Sequence, residues 1–210
     1  MKKAILIVTA SIGLGAMANA QATSMQFISM DRSDALTGSI TVSGSTKSVY
    51  LGAIKFKEGS NFLTTYCVDP LNALNGSNNP YNKSILNTGD GTGLGLAGKI
   101  LAANFTSAKT ANEQAALQLA IWSALEDNGT SFNASGAKFK ANNFSNTVLG
   151  LASTYYTKGF TTTPTAQVNF YKAGGAGGQS QIQVVPEPAT MAMLGLGALG
   201  MLRRRKVAKK

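Results

Sequence analysis

Apolar and polar positions alternate through the first third of the chain. Residues 25–30, 38–43, 48–57 and 61–68 each read as a half-buried strand. Gly44 and Ser45 mark a turn between the second and third, and Asp69 with Pro70 stops the fourth. The last three predict an antiparallel set. Residues 71–93, dense in Asn, Gly and Ser, predict a long loop. Helical spacing follows over 94–105, 111–127 and 146–156. Thr110 is an N-cap candidate, Glu113 three residues later completes a capping box, and Asn128 with Gly129 ends that helix. Strands at 165–171 and 179–185 flank the glycine-rich run 174–178. Strands, then helices, then a closing hairpin predict an α+β fold. It pairs an antiparallel sheet or sandwich with a bundle of about three helices.

Two further apolar runs lie at the ends. Lys2 and Lys3 precede an apolar stretch over 4–17, and Ala18-Asn19-Ala20 is a small-x-small cleavage site with Gln21 as the mature start. This predicts a signal peptide over 1–20, with the Sec translocon and signal peptidase as partners. An uncleaved membrane anchor is the alternative. At the other end Pro186-Glu187-Pro188 leads into an apolar run over 189–202, and Arg203, Arg204, Arg205 and Lys206 begin a basic tail. The run is shorter than the roughly 20 residues of a comfortable span and rich in Gly and Ala. The basic tail reads as a cytoplasmic stop. The three parts resemble the PEP-CTERM sorting signal of bacteria that possess an exosortase. That resemblance implies a transient inner-membrane anchor, a membrane-associated sorting helix, removal of the tail by exosortase and a Gram-negative envelope. The domain reading is then 1–20, an exported body over 21–185 and a sorting signal over 186–210.

The formal net charge of +10 invites a nucleic-acid reading. Most of that charge lies in the two ends, and the body keeps only +3 with no basic cluster. No nucleic-acid partner is expected. The body is long enough for one domain with its own core. The chain has no histidine and one cysteine, Cys67. Ser-His-Asp and Cys-His catalysis, most zinc sites and an internal disulfide are thereby excluded. No cofactor or metal is expected, and the body reads as non-enzymatic.

The helix over 111–127 is apolar nearly all round between Ala115 and Leu125, as in a buried helix, yet it carries Gln118 at its centre. Gln118 and Trp122 are four apart and share a face. Tyr66-Cys67-Val68 and the segment from Leu117 to Trp122 resemble the two short motifs of bacterial thioester domains. That resemblance implies an internal bond in which Cys67 supplies sulfur and Gln118 the acyl carbon. Trp122 would pack beside the bond and Tyr66 would support it. It also implies a surface adhesin able to bond covalently to nucleophiles on its target. The residues alone leave a second reading open, in which Cys67 is a small buried hydrophobe and Gln118 hydrogen-bonds to backbone.

Three functions therefore compete. The first is an exported surface or matrix protein with a reactive thioester. The second is a non-reactive structural component of biofilm or extracellular polysaccharide. The third is a secreted carbohydrate-active enzyme using carboxylates such as Asp69, Glu126 and Asp127. Gly93, Gly95 and Gly98 match a dinucleotide-binding glycine pattern, but no apolar strand precedes them, so a loop with helix entry is expected.

Overall fold

The computed structural model describes residues 20–30, 35–74, 79–174 and 178–185. The signal peptide, the Pro-Glu-Pro motif, the sorting helix and the basic tail lie outside the described residues. Among the described residues no helix is long and apolar enough to cross a membrane.

The chain runs β1 (Gln21–Met30), β2 (Leu36–Val42), β3 (Ser45–Leu51), β4 (Ile54–Glu58), β5 (Asn61–Cys67) and β6 (Asn79–Ile85). It continues through α1 (Gly93–Asn104), α2 (Ala111–Asp127), β7 (Phe139–Asn142), α3 (Asn146–Thr161), β8 (Val168–Ala173) and β9 (Gln181–Val184). The fold is mixed α+β, with antiparallel sheets and three helices, as the patterning predicts.

The expected sandwich is a closed barrel instead. Strands β1-β4-β5-β9-β8-β6 form the barrel, and β3-β2-β7 form a separate three-stranded sheet. Two departures from the sequence reading explain this. The strand expected over 48–57 is two strands in two sheets, because the chain turns out of the small sheet at Gly52, whose φ of 149° suits glycine. The segment expected to be a loop contains β6, which pairs with β1 on one side and β8 on the other and so closes the barrel. Closure leaves no open edge in that sheet.

Local rules account for much of the rest. Ser43 and Gly44 both have positive φ and join β2 to β3 in a two-residue turn. Thr110 accepts from the Glu113 N–H while the Glu113 carboxylate accepts from the Thr110 N–H, which completes the capping box. Asn128 ends α2 in the left-handed conformation. The barrel core holds Met25, Phe56, Tyr81 and Tyr171, all fully or almost fully buried. Phe56 meets Tyr81 edge-on, with ring centroids 6.2 Å apart. The three helices pack on one another, and α2 also reaches the small sheet. Its middle is buried on all sides, as its composition predicts.

Candidate functional site

Cys67 is the last residue of β5, and β5 pairs with β9 there, Cys67 opposite Gln181. Side chains alternate along a strand, so Leu63, Thr65 and Cys67 share one face and Tyr66 points to the other. Thr65 donates to Gln181 Oε1 at 3.1 Å, which places a satisfied polar pair beside the cysteine in the barrel core. Tyr66 is buried on the opposite side. Burial pushes its hydroxyl pKa up, and Tyr155 of α3 adds to the shift. Tyr66 therefore packs toward the helices and does not join Cys67.

Gln118 lies in the middle of α2 and is 1% exposed; Cys67 is 2% exposed. The Gln118 carboxamide meets the backbone of Cys67 at both ends. The Cys67 N–H donates to Gln118 Oε1 at 3.1 Å, and Gln118 Nε2 donates to the Cys67 carbonyl at 2.8 Å. One turn earlier, Gln114 Oε1 accepts from the Ala53 N–H at 3.2 Å. Two glutamines four apart thus tie α2 to the end of β5 and to the start of β4. In the sequence Gln114 opens an i, i+4 stripe with Gln118, Trp122 and Glu126, which also reads as an ordinary half-wet helix face.

Several groups bear on the Cys67 sulfur. The Asp69 N–H donates to Sγ at 3.2 Å. Burial pushes the thiol pKa well above its usual range; the Asp69 amide and the nearby Trp122 indole act in the opposite direction, and the Asp69 carboxylate adds to the rise. Trp122 is buried on the same helical face as Gln118. Cys67, Gln118 and Trp122 also line one cavity of about 530 Å³, whose wall includes Phe27, Met30 and Lys47. Its rim is the loop that follows β5. Within it Asn72 Nδ2 donates to Asp69 Oδ2 at 2.6 Å. Gln179 Nε2 donates to the carbonyls of Asn72 at 3.0 Å and Asp69 at 3.4 Å, and Lys47 Nζ donates to the Leu71 carbonyl. Lys47 and Gln179 are far from Cys67 in sequence, and no local pattern marks them.

Of the other candidates Asp69 belongs to the rim of this site, while Asp127 and the glycines of the apparent nucleotide motif do not line its cavity. Asp69 holds the loop rim through Asn72, and Asp127 Oδ1 accepts from the Lys138 N–H at 2.9 Å. The Glu126 pKa is raised, first by burial; Lys138 opposes this, and Asp127 and Asp69 add to it. The glycines of the apparent nucleotide motif serve packing. A Cβ on Gly93 would fall 2.7 Å from the Ala124 and Leu125 carbonyls of α2, and one on Gly98 would fall 2.6 Å from the Leu86 side chain. They let α1 approach α2 and the end of β6 closely.

A family model of the PEP-CTERM protein-sorting motif matches residues 184–206. The C-terminus thus carries a PEP-CTERM sorting motif, which implies export, a membrane-anchored precursor and processing by exosortase. No curated protein sequence matches the chain. Solved structures similar to it are thioester domains and a pilus-tip domain of surface proteins. The N-terminal thioester domain of fibronectin-binding protein SfbI from Streptococcus pyogenes has a TM-score of 0.45 at 14% identity, covering 76% of this chain and 98% of that one. The N-terminal thioester domain of a Clostridium perfringens surface protein gives 0.45 at 11%, covering 79% and 100%. The N-terminal domain of the Streptococcus pyogenes pilus tip adhesin Cpa gives 0.45 at 13%, covering 77% and 99%.

Proposed function

We propose that this protein is an exported surface protein that carries an internal thioester between Cys67 and Gln118 and uses it once, for covalent attachment. The observation that carries the reading is the reciprocal pair of hydrogen bonds between the Gln118 carboxamide and the Cys67 backbone. The Cys67 N–H draws electron density from the Gln118 carbonyl, which makes Cδ a better electrophile. The thiol belongs to the same residue. Bond formation joins Sγ to Cδ and breaks the Cδ–Nε2 bond; the thiol proton leaves with Nε2 as ammonia. An acylated sulfur carries no charge, so the burial that opposes the thiolate suits the product.

The thioester is a stored electrophile. The apolar middle of α2 and the Trp122 ring keep water from it, and the cavity gives a nucleophile an approach. Attack forms a permanent link and frees the thiol. The protein is consumed in the process, so this is a stoichiometric reaction without turnover and not an enzyme. The signal peptide directs the chain through the Sec translocon. The sorting tail holds it at the inner membrane of a Gram-negative envelope until exosortase acts near 186–188. The mature body then reaches the cell surface or the extracellular matrix, where surface nucleophiles or polysaccharide are its targets.

Methylamine tests the bond. The mature protein should add one methylamine at Gln118 and gain one titratable thiol at Cys67. Cys67→Ala and Gln118→Ala should each abolish the adduct. Mature protein with a titratable thiol at Cys67 before treatment and no adduct at Gln118 after it would sink the reading and favour the non-reactive matrix component. Sorting has its own test. Mature protein that still carries Arg203 to Lys210 in cells with a working exosortase would contradict the processing step.

A further inference from the structure

The Trp122 indole N–H is buried and meets no acceptor among the described residues in full hydrogen-bond geometry, yet it lies close enough to the Cys67 sulfur to lower the thiol pKa. A buried donor left in this state costs about 1–3 kcal/mol. The group is 2% exposed and lies one turn beyond Gln118, in the wall of the cavity that Cys67 and Gln118 also line. The chain contains no other tryptophan. Shielding a bond from water needs only an aromatic ring, and Phe would leave no donor stranded.

We propose that the Trp122 indole N–H is the hydrogen-bond donor that receives the negative charge on the Cys67 sulfur when a nucleophile opens the thioester. This rests on the thioester reading above. In that step an amine nitrogen attacks Gln118 Cδ, a C–N bond forms and the C–S bond breaks. The bonding electron pair passes to Sγ, and the proton released by the nitrogen ends there, giving a thiol. In the intact bond the sulfur is neutral and a poor acceptor, so the indole stays unpaired. Charge on sulfur creates the acceptor. A donor that is unpaired before the reaction and paired as charge develops favours the transition state over the ground state. The Asp69 N–H, at 3.2 Å, is the second donor to the same atom. Burial, and to a lesser extent the Asp69 carboxylate, work against the thiolate, and both donors work in its favour.

The test uses the full chain with Trp122→Phe. A second variant replaces Trp122 by benzothienylalanine, which keeps the two-ring shape and exchanges the N–H for sulfur. With a single tryptophan in the chain, replacement marks this site alone. Both variants should still form the bond and lose one ammonia. Methylamine should open it about 10- to 100-fold more slowly than in the wild type, as expected for loss of a hydrogen bond to a charged atom. After opening, the pH profile of Cys67 alkylation should shift upward in both variants, a change that a shielding ring would not produce. A light wild-type chain whose two variants open at the wild-type rate with an unshifted profile overturns this proposal and leaves the bond standing. A wild-type chain at full mass, with a free thiol and Gln118 still an amide, overturns the bond and this proposal together.

Discussion

Two buried carboxamides on helices, Asn104 and Gln118, tie them to their neighbours in different ways. Asn104, at the end of α1, is 0% exposed. Its Nδ2 donates to the Ile100 carbonyl at 2.8 Å and to the Tyr155 carbonyl at 2.9 Å, while its Oδ1 is buried without a partner among the described residues. Gln118 is equally buried, and both its ends are satisfied by one residue. By hydrogen bonding alone Gln118 is the better structural amide. What sets it apart is the identity of that residue, a cysteine that lines the same cavity. Burial and satisfaction therefore do not make a site. On the proposed reading, a nucleophile carried by the residue that holds the amide, with a cavity leading to both, does.

The largest expected effect comes from breaking the second arrangement without changing the sequence. Opening the proposed thioester with methylamine would remove a cross-link between positions 51 apart and should lower unfolding stability by about 4 kcal/mol. Denaturant midpoints before and after treatment measure this. An unchanged midpoint would mean that the residues are not joined.

The next effect breaks the first arrangement. Asn104→Ala removes the two side-chain hydrogen bonds that tie α1 to α3, on carbonyls that keep their helical partners, and should cost about 1–3 kcal/mol, while the methylamine reaction at Gln118 proceeds as in the wild type. Loss of reactivity in that variant would mean that the two amides are not independent.

The pH dependence separates thiol from acylated sulfur. The Cys67 thiol pKa is raised by burial, so a free thiol stays protonated in the folded state while the unfolded chain ionises. Its contribution to stability is complete below the unfolded pKa, near 8.5. It is lost as pH rises above that, at about 1.4 kcal/mol per pH unit. Methylamine-opened protein should show this alkaline loss in denaturant titrations against Cys67→Ala. Intact protein, with no thiol to titrate, should track Cys67→Ala instead. Equal slopes for opened and intact protein would contradict the assignment.

The smallest effect lies at the start of α2, away from both amides. Thr110→Ala removes the acceptor of the capping box and should cost about 1 kcal/mol without altering the reaction at Gln118. A change in reactivity would show that the start of the helix positions the glutamine.

The same contrast between local and distant causes separates what the sequence reveals from what it hides. The capping box at Thr110 and Glu113, the stop at Asn128 and the Ser43–Gly44 turn are visible because each depends on neighbours within a few residues. Gln118 stands out because a polar residue interrupts an apolar helix, and Cys67 because it is the chain's one thiol. Strand β6 is hidden because Tyr81 is its one buried side chain, so it lacks apolar alternation. The sheet switch at Gly52 reads as continuous strand, since only the partners of β3 and β4 distinguish them. Tyr66 shares a motif with Cys67, but the strand's alternation sends it to the other face. The rim bonds of Lys47 and Gln179 end on backbone carbonyls, which carry no sequence signature.

The central claim is that Cys67 and Gln118 are covalently joined in the mature protein. Intact mass of the denatured protein, untreated and beside Cys67→Ala, tests it most directly. The account predicts a wild-type chain lighter than its sequence by one ammonia and a Cys67→Ala chain at full sequence mass. Hydrolysis after formation is recognisable as Glu at position 118. A wild-type chain at full mass, with Gln118 still an amide and Cys67 a free thiol, would contradict it.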